Sequence, residues 1–94
     1  MPLLFIRTCN SDYHSVDEGN QYERPGDALA VGIEAAIGIA RDEVRKGAPT
    51  AAVEVCVERE GGEKILRSVV ALSISPHSVD AEPARSEDTD ANNN

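Results

Sequence analysis

One stretch, Pro25–Lys46, constrains this chain more than any other: it reads as a single long helix with material for a pair of strands on each side. Pro25 suits the first helical position, where its missing N–H would have no intrahelical acceptor anyway. Asp27 falls in the first turn, where the helix dipole favours an anion. Leu29, Ile33, Ala36, Ile37, Ala40 and Val44 recur at the spacing of one buried stripe. Gly47 stands where a helix is commonly closed by a residue of positive φ, and Pro49 prevents continuation. Gly32 and Gly38 lie inside, each costing the helix about 0.5–1 kcal/mol relative to alanine, so close packing against a neighbour is the expected reason for them. Val31, Ala35 and Ile39 add a second apolar row, which predicts contacts on two sides of the helix.

Before the helix, Leu3–Thr8 is a short apolar run that reads as a strand buried on both faces. Cys9-Asn10-Ser11-Asp12 is turn chemistry, because Asn, Ser and Asp side chains bond nearby backbone. Tyr13–Val16 is a short return strand, Asp17-Glu18-Gly19-Asn20 a second turn, and Gln21–Arg24 leads into the helix. After the helix, Ala51–Arg59 alternates as a half-buried strand does, with Ala51, Val53, Val55 and Val57 on one side and Ala52, Glu54, Cys56 and Glu58 on the other. Gly61-Gly62 reads as a two-residue hairpin turn. That turn sets Glu60 opposite Glu63, Glu58 opposite Ile65, Val57 opposite Leu66, Val55 opposite Ser68 and Val53 opposite Val70. Cys56 then meets Arg67 and Glu54 meets Val69, leaving Glu54 and Arg67 as diagonal neighbours able to form an exposed ion pair. The fold class is α+β: ββαββ, a four-stranded, mostly antiparallel sheet with one long helix packed on one face.

One helix covers one face of a sheet. The other face should carry Cys56, Ile65 and Val69, with Leu4 and Ile6 of the first strand contributing, which is more apolar than a solvated face requires. Val31, Ala35, Ile39, Cys56, Ile65 and Val69 are therefore the candidate partner or dimer face. Size points the same way. Within 94 residues, the domain is read as 1–77, followed by a disordered acidic tail over 78–94 that lacks apolar periodicity. Phe5, Tyr13 and Tyr22 are its aromatics, and so small a domain buries only about 60% of its unfolded surface and gains stability readily by association.

The formal charge is −8, and the stretch from Asp80 on sets Asp80, Glu82, Glu87, Asp88 and Asp90 against Arg85. Such a balance disfavours phosphate backbones and anionic membranes, so neither nucleic acid nor membrane is an expected partner. Arg41, Arg45 and Lys46 form a local basic cluster, most simply read as complementing the negative end of the helix dipole. The apolar run at the N-terminus is too short for a signal-peptide core and has no basic region before it, so a cytoplasmic location with reduced thiols is expected.

The Met-Pro start, the apolar strand with Phe5, Asp17-Glu18-Gly19 before the helix, and the alanine-rich helix with Ala28 and Ala35 resemble a short family of rhizobia and related alphaproteobacteria, domain of unknown function 6894. The resemblance covers about residues 1–74. The family shows two adjacent aromatics in its first strand, where this chain has Phe5 alone. The resemblance implies a small bacterial cytoplasmic α+β domain and brings no activity with it.

Little in the chain suggests chemistry. Cys9 and His14 could form a thiol nucleophile with a base, but no orienting third group or oxyanion site accompanies them, so a small-ligand binder or enzyme built on them is the weaker alternative. Neighbouring carboxylates discourage a Cys56 thiolate. Asp12, Asp17, Glu18 and Glu23 lack the alternate-position spacing of a calcium loop, and two isolated cysteines do not make a zinc site. Gly61-Gly62 is not a phosphate loop. No cofactor is expected. The sequence points to a non-enzymatic protein-interaction module, a homodimer or the binder of another protein. The alternative is a regulatory, antitoxin-like partner whose acidity would mask a basic protein.

Overall fold

The computed structural model describes residues 2–75, 78 and 79. The expected acidic tail lies, apart from Ser78 and Val79, outside the described residues. The elements run β1 (Leu3–Cys9), β2 (His14–Val16), β3 (Asn20–Gln21), α1 (Pro25–Arg45), β4 (Thr50–Arg59) and β5 (Lys64–Ser73). All strand pairings are antiparallel, in the order β2-β1-β4-β5, with β3 pairing to β1 beside β2. The α+β reading with one helix on one sheet face holds.

The sheet has five strands rather than the expected four. The chain returning along β1 is split in two, and Asp17 fills the gap. Its N–H donates to the Ile6 carbonyl at 3.0 Å, and its Oδ1 accepts from the N–H groups of Ile6 and Gly19, each at 3.0 Å. A carboxylate oxygen thus stands in for a backbone carbonyl between β2 and β3. The preceding turn uses the expected chemistry: Asn10 Oδ1 accepts from the Asp12 N–H at 2.9 Å.

Helix α1 begins at Pro25, as its sequence dictates. It ends at Arg45, one residue early, with Gly47 at φ +110°. The Ala48 N–H reaches the Glu43 carbonyl at 3.1 Å and the Gly47 N–H reaches Val44 at 3.0 Å, closing the last turn as left-handed helix ends do.

The buried line of the helix is not the expected stripe. It consists of Ala28, Gly32, Ala36 and Ala40, while Leu29 and Ile33 are half-buried and Ile37 is exposed. The reason is proximity. Val53, Val55 and Val57 of β4, all fully buried, together with Leu4 and Ile6 of β1, press directly against the helix. Only small residues fit on its nearest line, and the larger ones are displaced to the flanks. Leu4 and Ile6 therefore belong to the core under the helix, not to the opposite face. β1 alternates as a half-buried strand instead of being buried on both sides.

The β4–β5 register matches the expected pairs from Ala51–Leu72 through Val57–Leu66. It departs at the tip. The loop closes with the Arg59 N–H donating to the Glu63 carbonyl and the Gly62 N–H to Arg59, so Glu60 joins the two glycines in the turn. A β-bulge then absorbs the extra residue of β5, and Glu58 opposes Lys64 instead of Ile65. Ile65 consequently packs against the core.

The two interior glycines separate cleanly. A Cβ at Gly32 would stand 2.5 Å from Val55 Cγ1 and 2.9 Å from Ile6 Cγ2, whereas one at Gly38 meets nothing within 4 Å. Close packing accounts for Gly32 and not for Gly38. Gly38→Ala should stabilise the fold by about 0.5–1 kcal/mol through helix propensity. Gly32→Ala should destabilise it by about 1–2 kcal/mol, because overpacking against stiff, buried side chains outweighs the same gain. Urea denaturation of both variants checks the opposite signs, and equal stabilisation by both would refute the close approach.

Candidate functional site

The sheet face turned away from the helix has a charged centre. Cross-strand register places Arg7 opposite Cys56, Phe5 opposite Glu58 and Cys9 opposite Glu54, with Arg67 of β5 opposite Cys56 on its other side. Arg7 donates through Nε and Nη2 to both carboxylate oxygens of Glu58, the second contact at 3.2 Å. Arg67 pairs with Glu54, the ion pair its sequence position suggested. Cys56 lies beside these pairs, 2% exposed, and Glu58 is 3% exposed. A buried carboxylate tolerates such a site only when paired and hydrogen-bonded. The Arg7 hydrogen bond holds the Glu58 carboxyl below the usual range, against the opposing effect of burial. Arg67 acts likewise on Glu54.

Cys9 and His14 are brought together as direct cross-strand partners. Their hydrogen bonds nevertheless go elsewhere. The Cys9 thiol donates to Glu54 Oε1 at 3.5 Å, and Nε2 of His14 meets Arg7 Nη1. Arginine offers only donors, so that nitrogen must accept and its lone pair is engaged. Burial pushes the Cys9 thiol up from its ordinary value, as do the Glu54 hydrogen bond and charge. Burial does the same for Cys56, with the Glu54 charge adding to it. Both shifts disfavour the thiolate, the reactive form.

The six residues of the candidate partner face do not form one surface. Val31, Ala35 and Ile39 line a groove of about 240 Å³ between α1 and the β1–β2 pair, with Tyr13 opposite them. Tyr13 and Ile39 also border a second depression of about 300 Å³ running past Asp42 and Lys46. Val69 is isolated from that groove on β5, 54% exposed. Cys56 is covered, and Ile65, partly buried at the bulge, packs against the core.

Sequence reasoning missed Tyr13, which lines both hollows, and the pairing of half-buried Arg7 with buried Glu58. Neither has a local signal, because each depends on how β1 sits against its neighbours. It also missed that Leu72 and Ile74, on the face of β5 opposite Val69, are 38% and 47% exposed. The basic cluster at the end of α1 is partly neutralised, since Lys46 pairs with Asp42 at 3.1 Å. Among the described residues no group of three or more His, Cys, Asp or Glu side chains is placed to hold a metal ion. No helix among them is long and apolar enough to cross a membrane. No known family model matches the chain, no curated protein matches its sequence, and no solved structure matches its fold.

The Arg7–Glu58 pair gives a pH signature. With its folded pKa below the unfolded value of about 4.3, Glu58 contributes stability that is fully present above that pH and lost as the pH falls through the folded value. Glu54 adds a slope in the same direction because Arg67 lowers it too. Glu58→Gln should therefore weaken the domain at neutral pH and flatten its acid limb, the two curves converging at low pH. Urea midpoints followed from neutral pH downward test this. Parallel curves for the two proteins would exclude a native ion pair at Glu58.

Proposed function

We propose that this domain is a non-catalytic protein-interaction module of the cytoplasm that associates with itself. The observation supporting this most directly is the β5 edge, which carries exposed apolar side chains on both sheet faces, Val69 on the open face and Leu72 and Ile74 on the helix side. They stand on a strand that, among the described residues, is paired on one side only. The charged groups at the centre of the open sheet face are spent on one another, Arg7 with Glu58 and Arg67 with Glu54, which fits a scaffold better than a reaction centre. A net charge of −8 favours a protein partner over a polyanion. Membership of the domain of unknown function 6894 family is part of the same proposal and rests on the residues already given for that resemblance.

Light scattering of the full chain over a concentration series tests the reading. The expected mass is that of a dimer at high micromolar concentration, falling toward the monomer on dilution. A monomer at every concentration would remove self-association and leave only a foreign partner.

A further inference from the structure

The ladder of β5 determines which of its backbone groups are free. The Ile74 N–H donates to the Pro49 carbonyl at 2.8 Å, one step beyond the Thr50–Ser73 pair. In an antiparallel ladder, hydrogen-bonded pairs alternate with non-bonded ones. Leu72, Val70, Ser68 and Leu66 therefore direct their N–H and C=O groups toward β4, and Ser73, Ala71, Val69 and Arg67 direct theirs outward. Among the described residues nothing pairs with that outward row. A row of free donors and acceptors at strand spacing has one chemically matched occupant, another strand.

The opposite edge of the sheet is guarded. β1 is covered there by β2, by β3 and, between them, by Asp17. β5 carries Lys64 and the bulge toward the hairpin tip, devices that discourage pairing there. From Ser68 to Ile74 it has no charge, glycine or proline.

We propose that β5 pairs antiparallel with β5 of a second copy about a two-fold axis at Val69, joining the two sheets edge to edge. This rests on the self-association proposed above and specifies its mode. The register suits the same strand on both sides. Val69 meets Val69 of the second copy, and Arg67, the one charge among the outward residues, meets Ala71. On the helix side Leu66 meets Leu72 and Ser68 meets Val70. Every residue keeps its sheet face, no like charges stand opposite, and neither strand brings a carboxylate of this acidic chain to the seam. The outward groups of Arg67, Val69 and Ala71 supply about six main-chain hydrogen bonds across the axis. A two-fold axis normal to the sheet leaves both helices on one face of the joined sheet.

The pairing of Arg67 with Ala71 supplies the test. In the full chain, Ala71→Glu places a carboxylate opposite the second copy's Arg67, and Ala71→Lys places a like charge there. Because symmetry repeats each contact, the dimer should tighten about fivefold in the first and weaken about fivefold in the second. Val69→Pro removes an outward N–H and spares the β4 ladder, a position where an edge strand tolerates proline. It should yield a monomer with unchanged circular dichroism. In the parent protein, amide exchange at Arg67, Val69 and Ala71 should slow as concentration rises. A dimer equally strong in all three variants would overturn the edge-to-edge mode and leave self-association standing through another surface. Outward amides protected at every concentration in a monomer would mean that the chain covers its own edge, overturning both.

Discussion

The structure depends on how closely one helix approaches its sheet. Gly32 sits against Val55 and Ile6 with no room for a methyl group. The rest of the helix's nearest line, Ala28, Ala36 and Ala40, is small for the same reason. That closeness lets a chain with few aromatics exclude water from Val53, Val55 and Val57 completely. It also sends the larger helical side chains outward. Leu29 and Ile33 reach past one flank of the contact line, and Val31 and Ile39 past the other, where they wall a groove with Tyr13. The apolar excess on the helix surface follows from a contact line too tight to accept it.

The reverse of the sheet is organised by charge. Glu58 is buried there and kept ionised by Arg7, and this pair ties β1 to β4 on the face the helix leaves bare. Glu54 and Arg67 tie β4 to β5. Two cross-strand pairs thus run across the central strands, with Cys56 beside them and, among the described residues, no second layer above. The apolar contact holds one face of the sheet and ionic contact the other.

The helix, its proline start, its glycine end and the β4–β5 register were legible because each is written locally. Period, turn chemistry and hairpin symmetry suffice for Val53–Val70 or Cys56–Arg67 to be paired on paper. The misreadings share a cause. Hydropathy selects the largest apolar residues as the buried stripe, yet distance selected the smallest, so Ala28 and Gly32 were passed over for Leu29 and Ile33. A third residue in the β4–β5 loop and one bulge were enough to set Ile65 partly buried against the core instead of on the open face. Arg7 and Glu58 are about fifty residues apart and meet only once β1 docks on β4. Nothing in either neighbourhood signals the other.

The two edges of the sheet place unlike demands on the sequence. At the β1 edge the chain commits two short strands, a carboxylate serving as a carbonyl, and a positive-φ glycine against Phe5 to close the ladder. At the β5 edge the protection stops at the bulge, and from Ser68 to Ser73 the strand is regular and uncharged. Leaving hydrogen-bonding groups unpaired beside exposed Val69 and Leu72 would be a liability for a permanently monomeric domain. The same seven residues, Ser68 to Ile74, have what a strand needs to be extended: full length, no break, no charge and outward amides in step. Under the proposed pairing of β5 with a second copy, this edge is a surface kept open for a strand.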